Sequence, residues 1–166
     1  MPILYVLRHA KSDWGDADLD DFDRPLAPRG RDACRKIAAS FAAHGVAPEV
    51  VLCSPAVRAV ETLEGVRSGL PSETQVRIED DLYGASAPQV IERLQAIDEP
   101  GSIMVIGHNP AMEDLVLALA SAGDALDDVR RKFPTAALAT LELTVDWKGL
   151  APGTTRLVDF VRPKDL

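Results

Sequence analysis

The chain of 166 residues is 46% hydrophobic and 27% charged, a balance that excludes wholesale disorder and fits one domain, residues 1–166, around one sizeable core. Its formal net charge of −8, from 18 Lys and Arg against 26 Asp and Glu, disfavours nucleic acid as a partner, because duplex binding rewards basic faces. No stretch approaches the ~18 apolar residues of a membrane span, and the short N-terminal apolar run ends in Arg8, His9 and Lys11 instead of following basic residues as a leader would. Neither a membrane nor a secretory route is expected, and Cys34 and Cys53, without CxxC spacing, read as reduced thiols of a soluble cytoplasmic protein.

In chain order, residues 3–7 form a compact apolar run of strand length, followed by a polar loop to Pro28. Six aspartates fall within residues 13–23 of that loop. Residues 30–43 read as a helix, with Ala33, Ile37 and Phe41 at helical spacing and Gly45 as its stop. Residues 50–53 are a second buried strand, and Ser54-Pro55 opens a helix to about Ser68 with Ser as N-cap and Pro at the first helical position. The chain breaks at residues 69–72, and residues 76–78 suit a short strand. Residues 88–97 place Val90, Ile91, Leu94 and Ile97 on one helical face. Residues 103–106 are a third buried strand, after which Asn109-Pro110 repeats the cap-plus-proline helix start. Residues 138–145 alternate strictly, and residues 157–161 form a last β run.

Strands alternate with helices, and the early strands are solidly apolar. This predicts a three-layer α/β/α domain whose mostly parallel central sheet is covered on both faces. The final pair of strands suits an antiparallel addition.

The chemistry gathers where strands end. Arg8 and His9 follow the first strand, Arg58 sits in the first turn after the second, and Gly107 and His108 follow the third. In open α/β sheets, ligands bind at the carboxyl ends of strands, and helix starts there favour anions. A lone histidine after a strand is ordinarily a turn residue, and a lone arginine at a helix start is ordinarily solvated. Two of only three histidines and two arginines at matching strand ends outweigh that bland reading. Such a set suits phosphoryl transfer. Guanidinium forks grip phosphate oxygens, and a neutral imidazole is a competent nucleophile near pH 7. A second imidazole donates to the equatorial oxygens. Gly107 is read as letting backbone approach the phosphate. Lys11 and Ser12 follow the candidate nucleophile and are read as substrate-binding, with a plain surface role as the alternative.

The segment Leu7-Arg8-His9-Ala10-Lys11-Ser12 resembles the RHG signature of the histidine phosphatase superfamily, of phosphoglycerate-mutase-like fold. Residues 54–62, with Arg58, resemble its second-arginine motif, and Gly107-His108-Asn109-Pro110 its second-histidine motif. Residues 21–26 with Gly30, and Phe133-Pro134-Thr135-Ala136, resemble the short SixA-type branch of phosphohistidine phosphatases. The resemblance implies that His9 is phosphorylated, that Arg8, Arg58 and His108 hold the phosphoryl group, and that no metal or cofactor takes part. Ala10 replaces the usual small Gly. A larger departure is Gly84, two residues after Leu82, where many relatives carry a Glu general acid; Glu79, Asp80 and Asp81 lie near but off that position. A phosphohistidine leaves as weakly basic imidazole and dispenses with a strong acid.

The expected activity is therefore hydrolysis of a phosphoryl group, first from phosphohistidine on a protein partner. A small phosphomonoesterase for a sugar or nucleotide phosphate is the alternative, and a non-catalytic phospho-ligand module stands third. A mutase is disfavoured by the short chain. Asp16, Asp18 and Asp20 have metal-loop spacing, but the template then needs Gly and Glu where Asp21 and Ala27 stand. The loop is read as a solvated acidic loop at the site mouth. Arg24 is left between substrate contact and pairing with that loop, His44 is read as a helix C-terminal cap, residues 130–132 as a solvated patch, and Trp14 and Trp147 as core or rim.

Overall fold

A computed structural model of the chain describes residues 1–98 and 100–166. Its seven strands are β1 (Ile3–Arg8), β2 (Val50–Cys53), β3 (Gln75–Ile78), β4 (Ser102–Gly107), β5 (Ala120–Ala122), β6 (Leu138–Leu143) and β7 (Thr155–Val161). They form one sheet in the order β3-β2-β4-β1-β6-β7-β5. The half from β3 to β1 is parallel, while β6 pairs antiparallel with β1 and with β7. The helices are α1 (Pro28–His44), α2 (Val57–Val66), α3 (Ala87–Gln95), α4 (Ala111–Leu119) and α5 (Leu126–Arg131). The mixed α/β architecture is the one expected, with α5 and β5 as elements the periodicity did not reveal; each is too short to establish a pattern.

Two apolar cores explain why the early strands carry no polar face. Side chains alternate across a strand. Leu4 and Val6 of β1, Leu52 of β2 and Ile103 and Val105 of β4 pack with α3, α4 and α5 through Leu94, Leu115 and Val129. Their neighbours Leu7, Val51, Cys53, Met104 and Ile106 pack with α1 and α2 through Ile37, Phe41 and Leu63. In β6, by contrast, Leu141 and Leu143 are buried while Thr140 and Glu142 are half-exposed, hence its strict alternation. Trp147 lies in the first core and donates from its indole to the Pro100 carbonyl at 2.6 Å. Trp14 is exposed.

Helix starts differ from the sequence-based expectation. Ala56, not Ser54, is the N-cap of α2, and Pro110, not Asn109, that of α4. The Asn109–Pro110 peptide is cis. Both polar residues still serve the turns: Ser54 Oγ accepts from Ala56 N at 3.3 Å, and Asn109 Oδ1 accepts from Glu113 N at 3.2 Å. Ser86 caps α3 with a full capping box through Gln89. Gly45, in the left-handed region at φ 66°, closes α1. His44 instead meets Asp159 of β7, Nδ1 to Oδ2 2.7 Å. Arg130 and Arg131 pair with Asp127 and Asp128 on the exposed surface of α5.

Candidate active site

Strand register assembles the site. Arg8 of β1 lies opposite Gly107 of β4, and Cys53 of β2 opposite Ile106. His9 N donates to Gly107 O at 2.9 Å and Ser54 N to Ile106 O at 3.0 Å, so three neighbouring strands end at one level. The residues that follow each strand therefore meet: the His9 and His108 rings lie 5.1 Å apart, centroid to centroid. Arg58 Nε points at His9 Nε2 across 3.4 Å.

The His9 loop is pinned from three sides. Ala10 N donates to Thr62 Oγ1 at 2.9 Å, and that hydroxyl donates to Arg58 O at 2.7 Å, tying the loop to α2. Glu61, beside Thr62, accepts from Leu26 N at 2.7 Å. Gly30 lets α1 close over the loop, since a Cβ there would lie 2.2 Å from the Lys11 carbonyl. From the far side, Ala136 N donates to the carbonyls of Arg8 and His9, both at 3.1 Å. Ala136 holds φ 62°, a conformation costly for a residue with a Cβ, of order 1–2 kcal/mol. At Gly107 a Cβ would meet the Met112 side chain of α4, with Cε at 3.0 Å.

The imidazoles are set in defined states. His9 is buried, and its Nδ1 lies 2.7 Å from the Ala10 carbonyl, which only accepts, so Nδ1 carries the proton and Nε2 the lone pair. Burial holds the His9 pKa down to about 3, helped by the nearby positive charge of Arg58 and Arg8. His108, likewise desolvated and facing Arg58, is lowered to about 4. Its Nε2 sits 2.7 Å from Ser54 Oγ, and its buried Nδ1 has no protein partner. Arg8 Nε and Arg24 Nε are also buried without partners. Three of the four such side-chain atoms among the described residues thus belong to this cluster, although buried polar groups are normally satisfied.

These states give a pH signature. An unfolded imidazole protonates near pH ~6.5, whereas folded His9 and His108 resist protonation to about 3 and about 4. Between those values the unfolded chain binds more protons, so stability is lost as pH falls through that window. Imidazole ¹⁵N spectra should show both rings neutral at about pH 5 and His9 as the Nδ1–H tautomer, and the urea midpoint should already be lower there than at about pH 7. A His9 ring that titrates near 6.5 would contradict this geometry.

A cavity of about 200 Å³ opens on these groups, lined by Arg8, His9, Lys11, Ser12, Arg24 and Arg58 together with Trp14, Asp21 and Thr135. Lys11 is exposed, while Ser12 is buried and bonded to Arg24 Nη2. Arg24 is buried, stacks over the Trp14 ring at 3.2 Å and pairs with Asp21 at 3.0 Å, so it faces the cavity and the acidic loop together. Asp21 was not singled out by sequence. It accepts from Arg58 Nη2 at 3.0 Å and from the Tyr83 hydroxyl at 2.7 Å. The Tyr83 hydrogen bond, with Arg58 and Arg24, holds its carboxyl below the usual range despite some desolvation. Tyr83 also sets its ring edge-on to His108, centroids 5.7 Å apart. Asp21 opens the segment 21–26 noted above, but its pairing with Arg58 and Tyr83 had no local signal, whereas Glu61 and Thr62 stand at i+3 and i+4 from Arg58 on α2. Among the described residues, no group of three or more His, Cys, Asp or Glu is arranged to hold a metal ion. No described helix is long and apolar enough to cross a membrane.

Residues 4–87 match the family model described as "Histidine phosphatase superfamily (branch 1)". The chain is 34% identical over 153 residues to the phosphohistidine phosphatase SixA of Escherichia coli K12, covering 88% of each chain. A SixA structure from Nakamurella multipartitia superposes with a TM-score of 0.85 at 27% identity, covering 98% of this chain and 96% of that one. A structure of the protein histidine phosphatase SixA complexed with tungstate superposes with a TM-score of 0.77 at 26% identity, covering 98% of each chain.

Proposed function

The chain belongs to the histidine phosphatase superfamily, and from that premise we propose that it hydrolyses phosphohistidine on a protein through a covalent intermediate on His9. The observation that carries the reading is the cluster of buried polar atoms without partners, Nε of Arg8 and Arg24 and Nδ1 of His108, beside a neutral His9, a polar setting suited to a phosphoryl group. The SixA likeness supports phosphatase activity, and the tungstate bound in one such relative is a tetrahedral oxyanion of the same kind.

In this mechanism the His9 Nε2 lone pair attacks phosphorus while the bond to the substrate nitrogen breaks. The substrate ring, protonated on its other nitrogen, takes the electron pair of the breaking bond and leaves as neutral imidazole. Arg8, Arg58 and His108 hold the equatorial oxygens, where charge spreads in the transition state. Lys11 and Ser12 border the phosphoryl group. Water then attacks the phosphorylated His9, releasing phosphate and restoring the neutral ring. The tautomer serves this directly, because the proton on Nδ1 is held by Ala10 O and Nε2 keeps its lone pair, met by Arg58 Nε at 3.4 Å.

The same reading takes residues 1–166 as one metal-independent phosphatase domain working in the cytoplasm, where the buried free thiols of Cys34 and Cys53 suit a reducing compartment. The test is competition between a histidine-phosphorylated peptide and a panel of sugar and nucleotide phosphates, scored by kcat/KM before and after exhaustive EDTA treatment. The phosphopeptide is expected to lead the panel in both conditions. A sugar or nucleotide phosphate in the lead would favour the small phosphomonoesterase, and loss of activity in EDTA would refute the metal-free chemistry.

A further inference from the structure

Against a net charge of −8, positive charge is concentrated in one place. A second cavity, of about 570 Å³, runs between the start of α1, residues 132–135 and the C-terminal segment after β7. Lys11, Arg29, Lys36, Lys132, Arg162 and Lys164 line it, six of the chain's 18 Lys and Arg. Its one acidic residue, Asp32, is bonded to Arg35. Of the six cations only Arg162 has a carboxylate partner among the described residues, Asp165 at 2.9 Å. Outside the groove, Arg35, Arg93, Arg130 and Arg131 pair with carboxylates, whereas Arg31, Arg67, Arg77, Lys148 and Arg156 have no such partner among the described residues.

This groove is continuous with the candidate active site, because Lys11 and Thr135 line both cavities. Trp14 and Asp21 of the acidic loop line the site cavity but not the groove. The groove therefore adds cations without carboxylate partners to a site cavity whose one acidic lining residue, Asp21, is already paired with Arg24 and Arg58.

Resting on the phosphohistidine reading, we propose that the groove docks an acidic segment of the substrate protein beside its phosphohistidine. Lys11, Arg29, Lys36, Lys132 and Lys164 are all exposed, which suits a protein surface steered by charge better than a small polyphosphate locked among buried donors. The acidic loop repels the same segment and so fixes which way the substrate lies across the mouth.

The test uses two short peptides with one phosphohistidine each, one beside a run of glutamates and one beside glutamines, with an aryl phosphate as the small-substrate control. Wild type should favour the glutamate peptide in kcat/KM by at least about tenfold at low salt, and the preference should collapse as salt rises. The triple variant Lys36→Glu, Lys132→Glu, Lys164→Glu should lose the preference and keep its aryl phosphate turnover. The corresponding Lys→Arg triple should retain both. Equal turnover of the two peptides by wild type, or an equal loss on aryl phosphate in the glutamate triple, overturns the docking. If neither phosphopeptide is turned over while aryl phosphate is, the phosphohistidine reading fails, and binding of the unphosphorylated glutamate peptide decides the groove by itself. Binding lost in the glutamate triple upholds it. No binding, or binding of pyrophosphate in place of the peptide, overturns it.

Discussion

Replacing His9 with alanine is expected to lower kcat on an aryl phosphate by about 10⁴-fold or more, because removing a nucleophile removes the pathway and leaves only binding and charge stabilisation. His9 has the attributes the step needs: a neutral ring, a proton fixed on Nδ1, and Nε2 turned to Arg58 Nε at 3.4 Å. Rapid quenching of wild type with labelled substrate should trap phosphate on His9 as an acid-labile, base-stable phosphoramidate. The His9→Ala variant should trap none, yet still bind an oxyanion through Arg8, Arg24, Arg58 and His108. Label on Ser12, or an acyl phosphate on Asp21, would overturn the mechanism; both line the same cavity.

The second large effect concerns the leaving group. Simple alkyl phosphates should be turned over more slowly than activated aryl phosphates by ~10²–10⁴, the usual contribution of general acid catalysis. The two carboxylates seen paired beside the site, Asp21 and Glu79, are each committed to an arginine. Gly84 stands where relatives place a Glu, and Glu79 is locked to Arg93 by two 2.7 Å bonds. Asp21 is held ionised by Tyr83, Arg58 and Arg24, while that same hydrogen bond to Asp21 raises the Tyr83 pKa. Asp80→Asn and Asp81→Asn should therefore change aryl phosphate turnover little. An alkyl phosphate handled as fast as the aryl one, with a large loss in one of these variants, would reveal a proton donor and move the substrate towards small phosphoesters.

The leaving-group argument also separates what could be read along the chain from what could not. The gap at Gly84 was visible in sequence, and a Cβ there would meet nothing within 4 Å, but the contacts of the adjoining Tyr83 were not visible. Tyr83 reaches Asp21 across 62 residues, and Asp21 reaches Arg58 across 37. Asp21 sits among six aspartates that look alike in sequence, and it is the contact of its loop with Arg58 of α2 and with Tyr83 that singles it out. Arg24 could not be divided between loop and cavity because it touches both, bonded to Asp21 and lining the cavity. The caps at Ser54 and Asn109 were misplaced by one or two residues for a related reason. Their side chains satisfy the turn that precedes the helix, and Ser54 also meets His108, so a residue type that suits an N-cap was used to build the site.

The sequence by itself determined the alternation of strands and helices, the two-sided burial of β1, β2 and β4, and the placing of Arg8, His9, Arg58 and His108 at strand ends. Those features follow from side-chain period and from the few residues flanking each strand, which a short window contains. Only the tertiary structure decided the tautomer of His9, the orphaned donors, the pairing of Asp21 with Arg58 and Tyr83, and the basic groove. Burial and charge at a point are sums over whatever the fold brings there, and in this protein the contributors come from segments that share no local pattern.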